Sequence, residues 1–360
     1  MHGRRDEQHE PPSHWKYKCL EPQVYGKEQA LQKQQNCLCE CWLIREEPNS
    51  SYGQALEEAE KNLAAIKQVL LGDAETEPNL DHISQIVLEA CRGDFLETLV
   101  QKLPLLTWDA RKDLVQIWNV LLRQNVGTNA CCLEYLENHL HLLDLLVICY
   151  QNKDAAINAG AMLRECSRYP SLVKYLLESS TFDLFFGYVE LPNFDIASDS
   201  FATFKELLTR HEIVVSEYLS VHYAKFFGLY EHLLSSINYV TRRQSLKLLA
   251  DILLEKQHSN LMIQYISEVQ NLRIMMTLLK DSSKNIRSLA FHLFKVFVAN
   301  PRKPPSIVKV LLQNRAKLLS FLEDFHLDKG SVSYGGSRMQ QPAAGAASSR
   351  NMSMVGIILV

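Results

Sequence analysis

The sequence predicts an all-α fold of stacked helical repeats, and three observations predict it. First, one long stretch recurs. Laying residues 193–211 (NFDIASDSFATFKELLTRH) over four others places Trp118, Leu163, Phe204, Leu249 and Phe294 at one shared core position, with steps of 45, 41, 45 and 45 residues. A period of that size in a helical sequence marks units that bury their apolar faces only by stacking on neighbours. Second, apolar residues rarely alternate, so strand signals are nearly absent. Third, each period holds two or three helices with the longest last, the armadillo or HEAT plan. The expected fold is a solenoid, a right-handed superhelix whose long third helices line a concave binding groove.

The elements follow in order. Residues 1–53 read as an irregular N-terminal arm, because Pro11, Pro12, Pro22 and Pro48 interrupt them and no helical period is sustained. From Gln54, the residues Leu56, Ala59, Leu63, Ile66, Val69 and Leu70 fall at helical spacing, until Gly72-Asp73 stops the helix and Pro78 prevents its continuation. Helices are then predicted over 81–92, 95–103, 108–123, 132–137, 140–150, 154–168, 172–178 and 182–190, with Pro104, Gly127 and Pro170 as breaks. Beyond the 193–211 stretch come 213–219, 224–234, 239–256, 261–266, 272–280, 284–298, 306–314 and 316–325. The repeat domain is thus 54–326, and 327–360, rich in Gly, Ser and Ala, reads as a flexible tail.

Composition excludes several functions. The net charge is −3 over 360 residues, so no bulk electrostatic attraction to nucleic acid or membrane exists. No apolar run reaches the length of a membrane helix. Nine cysteines with no apolar leader before them read as reduced thiols of a cytoplasmic protein, with the nucleus as a second compartment.

Catalytic and metal motifs are missing. There is no phosphate-cradling glycine loop, no HExxH helix and no EF-hand loop. Cys37, Cys39 and Cys41 form the most metal-like cluster, but alternate spacing is not zinc spacing and no second ligand pair is near. His139 and His141 flank a helix start and read as exposed histidines, and Cys166 as a buried, inert thiol. Asp195 and Asp199, one turn apart, are accounted for by the helix N-terminus. Phe201 and Phe204 read as core. No cofactor, metal site or catalytic residue is expected.

In the 239–256 helix, Leu246, Leu249, Ile252 and Leu253 form the apolar stripe, while Arg243 and Lys247 share another face beside Arg242. That face is either solvated or a partner surface.

Several runs, taken together, resemble the calcium-binding protein 39 family: LPNFDIASDSFATFKELLTRH (191–211), NYVTRRQSLKLLADILLEK (238–256), NLRIMMTLLKDSSKNI (271–286) and AFHLFKVFVANPRKP (290–304). Weaker matches are ARKDLVQIWNVLLRQNVGT (110–128) and AGAMLRECSRY (159–169). The resemblance covers about 55–325; the N-terminal arm and the tail depart from the family pattern.

The resemblance implies a non-catalytic scaffold that binds a STRAD-like pseudokinase and binds and activates sterile-twenty-type (germinal-centre-type) kinases. It implies two surfaces. A pocket for a Trp-Glu-Phe-type C-terminal tail matches Arg243 and Met276; an Arg pairs with a peptide carboxylate and a Met adapts to an aromatic ring. A groove for the kinase fold itself matches Phe194, Tyr239 and Lys247. The other readings of the same fold are a generic armadillo-type peptide adaptor and a nucleic-acid-binding repeat protein using Arg242, Arg243 and Lys247, which would bind RNA in a salt-dependent way.

Overall fold

The structure, a computed structural model, describes residues 50–72 and 78–327. The N-terminal arm before Ser50, with the Cys37, Cys39 and Cys41 cluster, and the tail beyond Leu327 lie outside the described residues. The chain divides into two compact units, Met1–Glu57 and Glu58–Val360, and the repeats belong to the second.

Eighteen helices are described. They are α1 (Ser50–Leu71), α2 (Leu80–Ala90), α3 (Phe95–Lys102), α4 (Trp108–Arg123), α5 (Cys131–Asn138), α6 (His141–Ile148), α7 (Ala156–Cys166), α8 (Pro170–Glu178) and α9 (Phe185–Tyr188). There follow α10 (Phe194–Thr209), α11 (Glu212–Val221), α12 (Tyr223–Leu234), α13 (Tyr239–Leu253), α14 (Ser259–Ser267), α15 (Val269–Leu278), α16 (Lys284–Ala299), α17 (Pro305–Gln313) and α18 (Arg315–Leu327). Short 3₁₀ turns at Leu103–Leu105, Cys149–Gln151, Ser180–Leu184 and Lys256–His258 tighten the connections. Among the described residues there is no strand, only an isolated bridge between Val126 and Asn129. The fold is an all-α helical-repeat solenoid.

The first helix begins at Ser50, four residues before the expected start, and ends at Leu71, just before Gly72. Gly72 has φ +72° and donates its N–H to the Gln68 carbonyl at 2.8 Å, the left-handed helix stop that glycine adopts without strain.

The repeat has a local cause. Each long helix, or for α7 the turn that leads into it, opens on a side chain that accepts backbone N–H groups. Thr107 Oγ1 accepts from Ala110 at 3.4 Å, and Asn152 Oδ1 from Asp154 and Ala155 at 2.9 and 3.2 Å. Asn193 Oδ1 accepts from Asp195 and Ile196 at 3.0 and 3.2 Å. Asn238 Oδ1 accepts from Val240 at 2.9 Å, and Ser283 Oγ from Ile286 at 3.5 Å. Each of these caps precedes its core residue (Trp118, Leu163, Phe204, Leu249 or Phe294) by eleven positions, so cap and core share one register. All five core residues are at most 1% exposed. Asn193→Ala is therefore expected to cost about 1 kcal/mol, read as a lower denaturant midpoint with an unchanged m-value.

The long helices stack in chain order, α4 on α7, α7 on α10, α10 on α13 and α13 on α16, forming one layer. The shorter helices pack behind it. An aromatic cluster fills the middle repeats, with Phe182 5.6 Å from Phe204, and Phe186 5.1 Å from Phe204 and 5.7 Å from Phe226, centroid to centroid. Each such ring contributes about 1.5–3 kcal/mol of burial.

Spacing within the layer is set by side-chain size. In α7 the buried residues Ala156, Ala159 and Gly160 let α4 and α10 close in. At Gly160 a Cβ would stand 2.0 Å from Asp199 Oδ2 and 2.2 Å from the Tyr150 hydroxyl. Between α10 and α13 the layer opens instead into the cleft described next.

Candidate functional site

The cleft has a volume of about 720 Å³ and lies between α10 and α13. Its α10 wall is the stripe Phe194, Ala197, Ser198, Phe201, Ala202 and Lys205. Its α13 wall is Val240, Thr241, Gln244 and Lys247, with Ser236, Ile237 and Asn238 at the rim. Val189, Glu190, Leu191 and Pro192, which lead into α10, complete the lining. Ala197, Ser198, Ala202 and Thr241 are the short side chains of these walls, and the space beside them is not filled.

Large apolar groups ring this opening in water. Phe194, the first residue of α10, is 65% exposed, Val240 is 43% exposed and Ile237 is fully exposed. Ile237 occupies the position before a cap, where an apolar residue ordinarily packs against the fourth helical residue. That residue is Arg242, so the staple has no apolar partner. This is the signal in the sequence that marks Ile237, which motif reasoning missed.

The five residues singled out from the sequence separate into two groups. Phe194 and Lys247 line the cleft together. Tyr239, Arg243 and Met276 do not line it. Tyr239 is 40% exposed and faces α16, where Asn285 Nδ2 donates to its hydroxyl at 3.3 Å. That hydrogen bond, the neighbouring Ser283 and the Arg243 charge hold the phenol below its ordinary pKa. Arg243 is half-buried one turn further along the same face, and Met276 is half-buried on α15, which packs against α16.

Most basic groups of this layer are already paired. Arg123 grips Glu165 through two hydrogen bonds, Arg164 binds Asp199 at 2.8 Å and Lys205 binds Asp251 at 3.3 Å. Arg243 and Lys247 have no hydrogen-bonding or ionic partner among the described residues. Two unspent cations beside exposed aromatic and aliphatic groups can bind a partner carrying acidic and apolar side chains.

The structure corrects three readings. Arg242 is not on the exposed basic face, since its guanidinium folds back to the Ser236 carbonyl at 2.5 Å and lies 3.1 Å from Asp281. A nucleic-acid face of Arg242, Arg243 and Lys247 thereby loses one of its three charges. Asp199 is not a helix-start charge. It is mostly buried, pairs with Arg164, and accepts the Tyr150 hydroxyl at 2.7 Å, whereas Asp195 does sit in the first turn of α10. Phe201 is only half-buried and lines the cleft, because it stands one turn before Phe204 on the α13 side of α10; Phe204 is fully buried as expected.

Buried polar groups outside the cleft serve packing. Asp144 accepts hydrogen bonds from Tyr175, Ser179 and Thr181 at 2.5, 2.5 and 2.7 Å. Cys166 is fully buried and burial pushes its thiol up to about 12, which makes it inert. His139 stacks on Tyr135 at 4.0 Å and is half-buried, and His141 lies 3.4 Å from Glu97. Among the described residues no group of three or more His, Cys, Asp or Glu side chains is arranged to hold a metal ion. No described helix is long and apolar enough to cross a membrane.

Comparison with known proteins agrees with this architecture. The Mo25-like family model matches residues 25–333, so the match starts inside the N-terminal arm. The chain is 44% identical over 286 residues to the calcium-binding protein 39-like protein of Mus musculus, covering 79% of this chain and 85% of that protein. It is 41% identical over 293 residues to the Mo25-like protein of Schizosaccharomyces pombe, covering 81% and 89%. With MO25-like protein 2 of Caenorhabditis elegans it shares 42% identity over 276 residues, covering 77% and 82%. A cap and core register repeated at five positions, an open layer of long helices and a match over most of the chain lead to one conclusion: this chain belongs to the Mo25-like family.

Proposed function

We propose that the protein is a non-catalytic scaffold that binds a STRAD-like pseudokinase or a sterile-twenty-type kinase and favours the partner's active conformation. The observation that carries this reading is the pairing of unspent cations, Arg243 and Lys247, with exposed apolar groups on a layer where most other basic side chains are neutralised internally. A surface of that chemistry suits a partner presenting aromatic and acidic groups. Activation would need no chemistry from the scaffold. A ligand that binds one conformation of a kinase better than another shifts its population by that difference in affinity.

Two contact regions are proposed; that Phe194 and Lys247 line one cleft supports their grouping, while Tyr239 lies outside that cleft, one turn from Arg243. Arg243 and Met276 would take the Trp-Glu-Phe-type tail, the guanidinium pairing with its carboxylates and the thioether packing on a ring. Phe194, Lys247 and Tyr239 would meet the kinase fold. The cytoplasm is the compartment this reading requires.

Arg243→Ala combined with Met276→Ala is expected to abolish calorimetric binding of a Trp-Glu-Phe tail peptide, with unchanged circular dichroism and melting. Unchanged peptide affinity would overturn the assignment. Binding of unrelated extended peptides with equal strength would replace it by a generic peptide adaptor.

A further inference from the structure

Two thiols outside the surface described above face each other across successive repeats. Cys91 closes the C-terminus of α2 and is half-buried. Cys132 lies in the first turn of α5 and is 1% exposed. Their sulfurs are 3.2 Å apart, and α2 packs directly on α5. A covalent S–S bond is about 2.05 Å long, so closure needs a shift of only about 1 Å, within reach of a small side-chain rotation.

We propose that Cys91 and Cys132 form a peroxide-sensitive pair that closes to a disulfide tying the end of α2 to the start of α5. The two thiols have unequal roles. The hydrogen bond from Cys132 holds the Cys91 thiol below its ordinary value, while the same contact and burial push Cys132 far up. Cys91 is also the more accessible of the two. The Cys91 thiolate attacks one oxygen of hydrogen peroxide; the O–O bond breaks, and the departing hydroxide takes a proton to become water. Cys91 is then a sulfenic acid. The Cys132 sulfur attacks the Cys91 sulfur, the S–O bond breaks, and the hydroxyl leaves as water with the Cys132 proton. Two thiols lose two electrons in all, and peroxide is reduced to two waters. The link encloses α3 and α4, so it braces the part of the layer that presents the exposed Trp108.

Cys131 is adjacent and half-buried, but its sulfur points to the Asn129 carbonyl at 3.8 Å. Among the described residues, Cys149 and Cys166 are buried and make no sulfur–sulfur contact like that of Cys91 and Cys132, which keeps both out of the reaction.

The test treats the reduced full chain with graded hydrogen peroxide and maps cysteine peptides by mass spectrometry after alkylation. The expected result is a Cys91–Cys132 cross-linked peptide, formed before oxidation of the other cysteines and reversed by dithiothreitol. The melting temperature should rise on the order of 5 °C. Cys91→Ser, at a half-exposed position, should fold normally and lose both cross-link and shift. Cys132→Ala should leave a Cys91 sulfenic acid that dimedone traps. Peroxide that oxidises other cysteines while leaving Cys91 and Cys132 unlinked, or that joins Cys91 to Cys131, would overturn the proposal.

Discussion

Gly160→Ala is expected to lower the stability of the repeat domain by about 3–5 kcal/mol, a larger loss than the cap substitution at Asn193 gives. Alanine is ordinarily the better residue inside a helix, by roughly 1 kcal/mol. Here the added methyl has no place to go, since it would stand 2.0 Å from Asp199 Oδ2 and 2.2 Å from the Tyr150 hydroxyl. Those atoms are fixed by their own partners. Tyr150 donates to Asp199 Oδ2 at 2.7 Å and meets Thr203 Oγ1 at 2.8 Å. Arg164 donates to Thr203 Oγ1 at 2.7 Å and to Asp199 Oδ1 at 2.8 Å. The protons account for one another: the Tyr150 proton goes to Asp199, the Thr203 hydroxyl donates to the Tyr150 oxygen, and Thr203 in turn accepts from Arg164. Burial keeps Tyr150 protonated by raising its pKa well above the ordinary phenol value. Moving any member leaves a buried polar or charged group without its partner, which costs more than overpacking alone. Gly228→Ala supplies the contrast. Gly228 lies within α12, and nothing stands within 4 Å of its Cβ position. That substitution is expected to be neutral or to stabilise by up to about 1 kcal/mol. Equal effects from the two, measured by urea unfolding, would refute the close-contact account.

Phe194→Ala combined with Lys247→Glu is expected to weaken binding of a kinase-fold partner by at least about thirtyfold, near 2 kcal/mol, while the tail peptide keeps its affinity. Both side chains reach the cleft and are exposed at the surface, so the fold has little to lose. Removing the ring deletes the largest exposed apolar group on that rim. Reversing the charge sets a carboxylate where the partner is expected to present acids, adding repulsion to the lost attraction. The lysine effect should shrink at high salt, because an exposed pair is screened. Arg243→Ala with Met276→Ala should show the opposite split, losing the tail peptide. If both double variants reduce both interactions equally, the two regions are a single surface.

Most of the architecture was legible before any coordinates. The 45, 41, 45 and 45 spacing named five core residues, and all five are buried at the same offset from a capping side chain. The α4 boundaries came out as predicted, because Thr107 caps one end and the chain turns out of the helix at Gln124. Other boundaries moved by a few residues. The 239–256 helix stops at Leu253, where the chain tightens into the 3₁₀ turn Lys256–His258, and 182–190 became a 3₁₀ turn followed by the single-turn α9. Short turns of this kind differ from an α-helix by closing each hydrogen bond one residue sooner and leave no separate mark on apolar spacing.

The site was legible only in part. Residue type and helical position picked out Phe194 and Lys247, which the structure sets in one cleft. The same reasoning grouped Arg242 with Arg243 and Lys247 and could not see that a loop carbonyl and Asp281 claim Arg242. It also took Asp199 for a helix-start charge, because its partners Tyr150 and Arg164 lie 49 and 35 residues away in the chain. Periodicity and capping act within a helix or between neighbouring repeats, so one dimension records them. Whether a charge is spent on a neighbour, whether a mid-helix glycine is tolerated, and where two helices stand apart far enough to leave a cleft depend on contacts between distant segments. Those contacts arise from side-chain volumes meeting across the layer, and Gly160 on one side of α10 and the open cleft on the other are their two results.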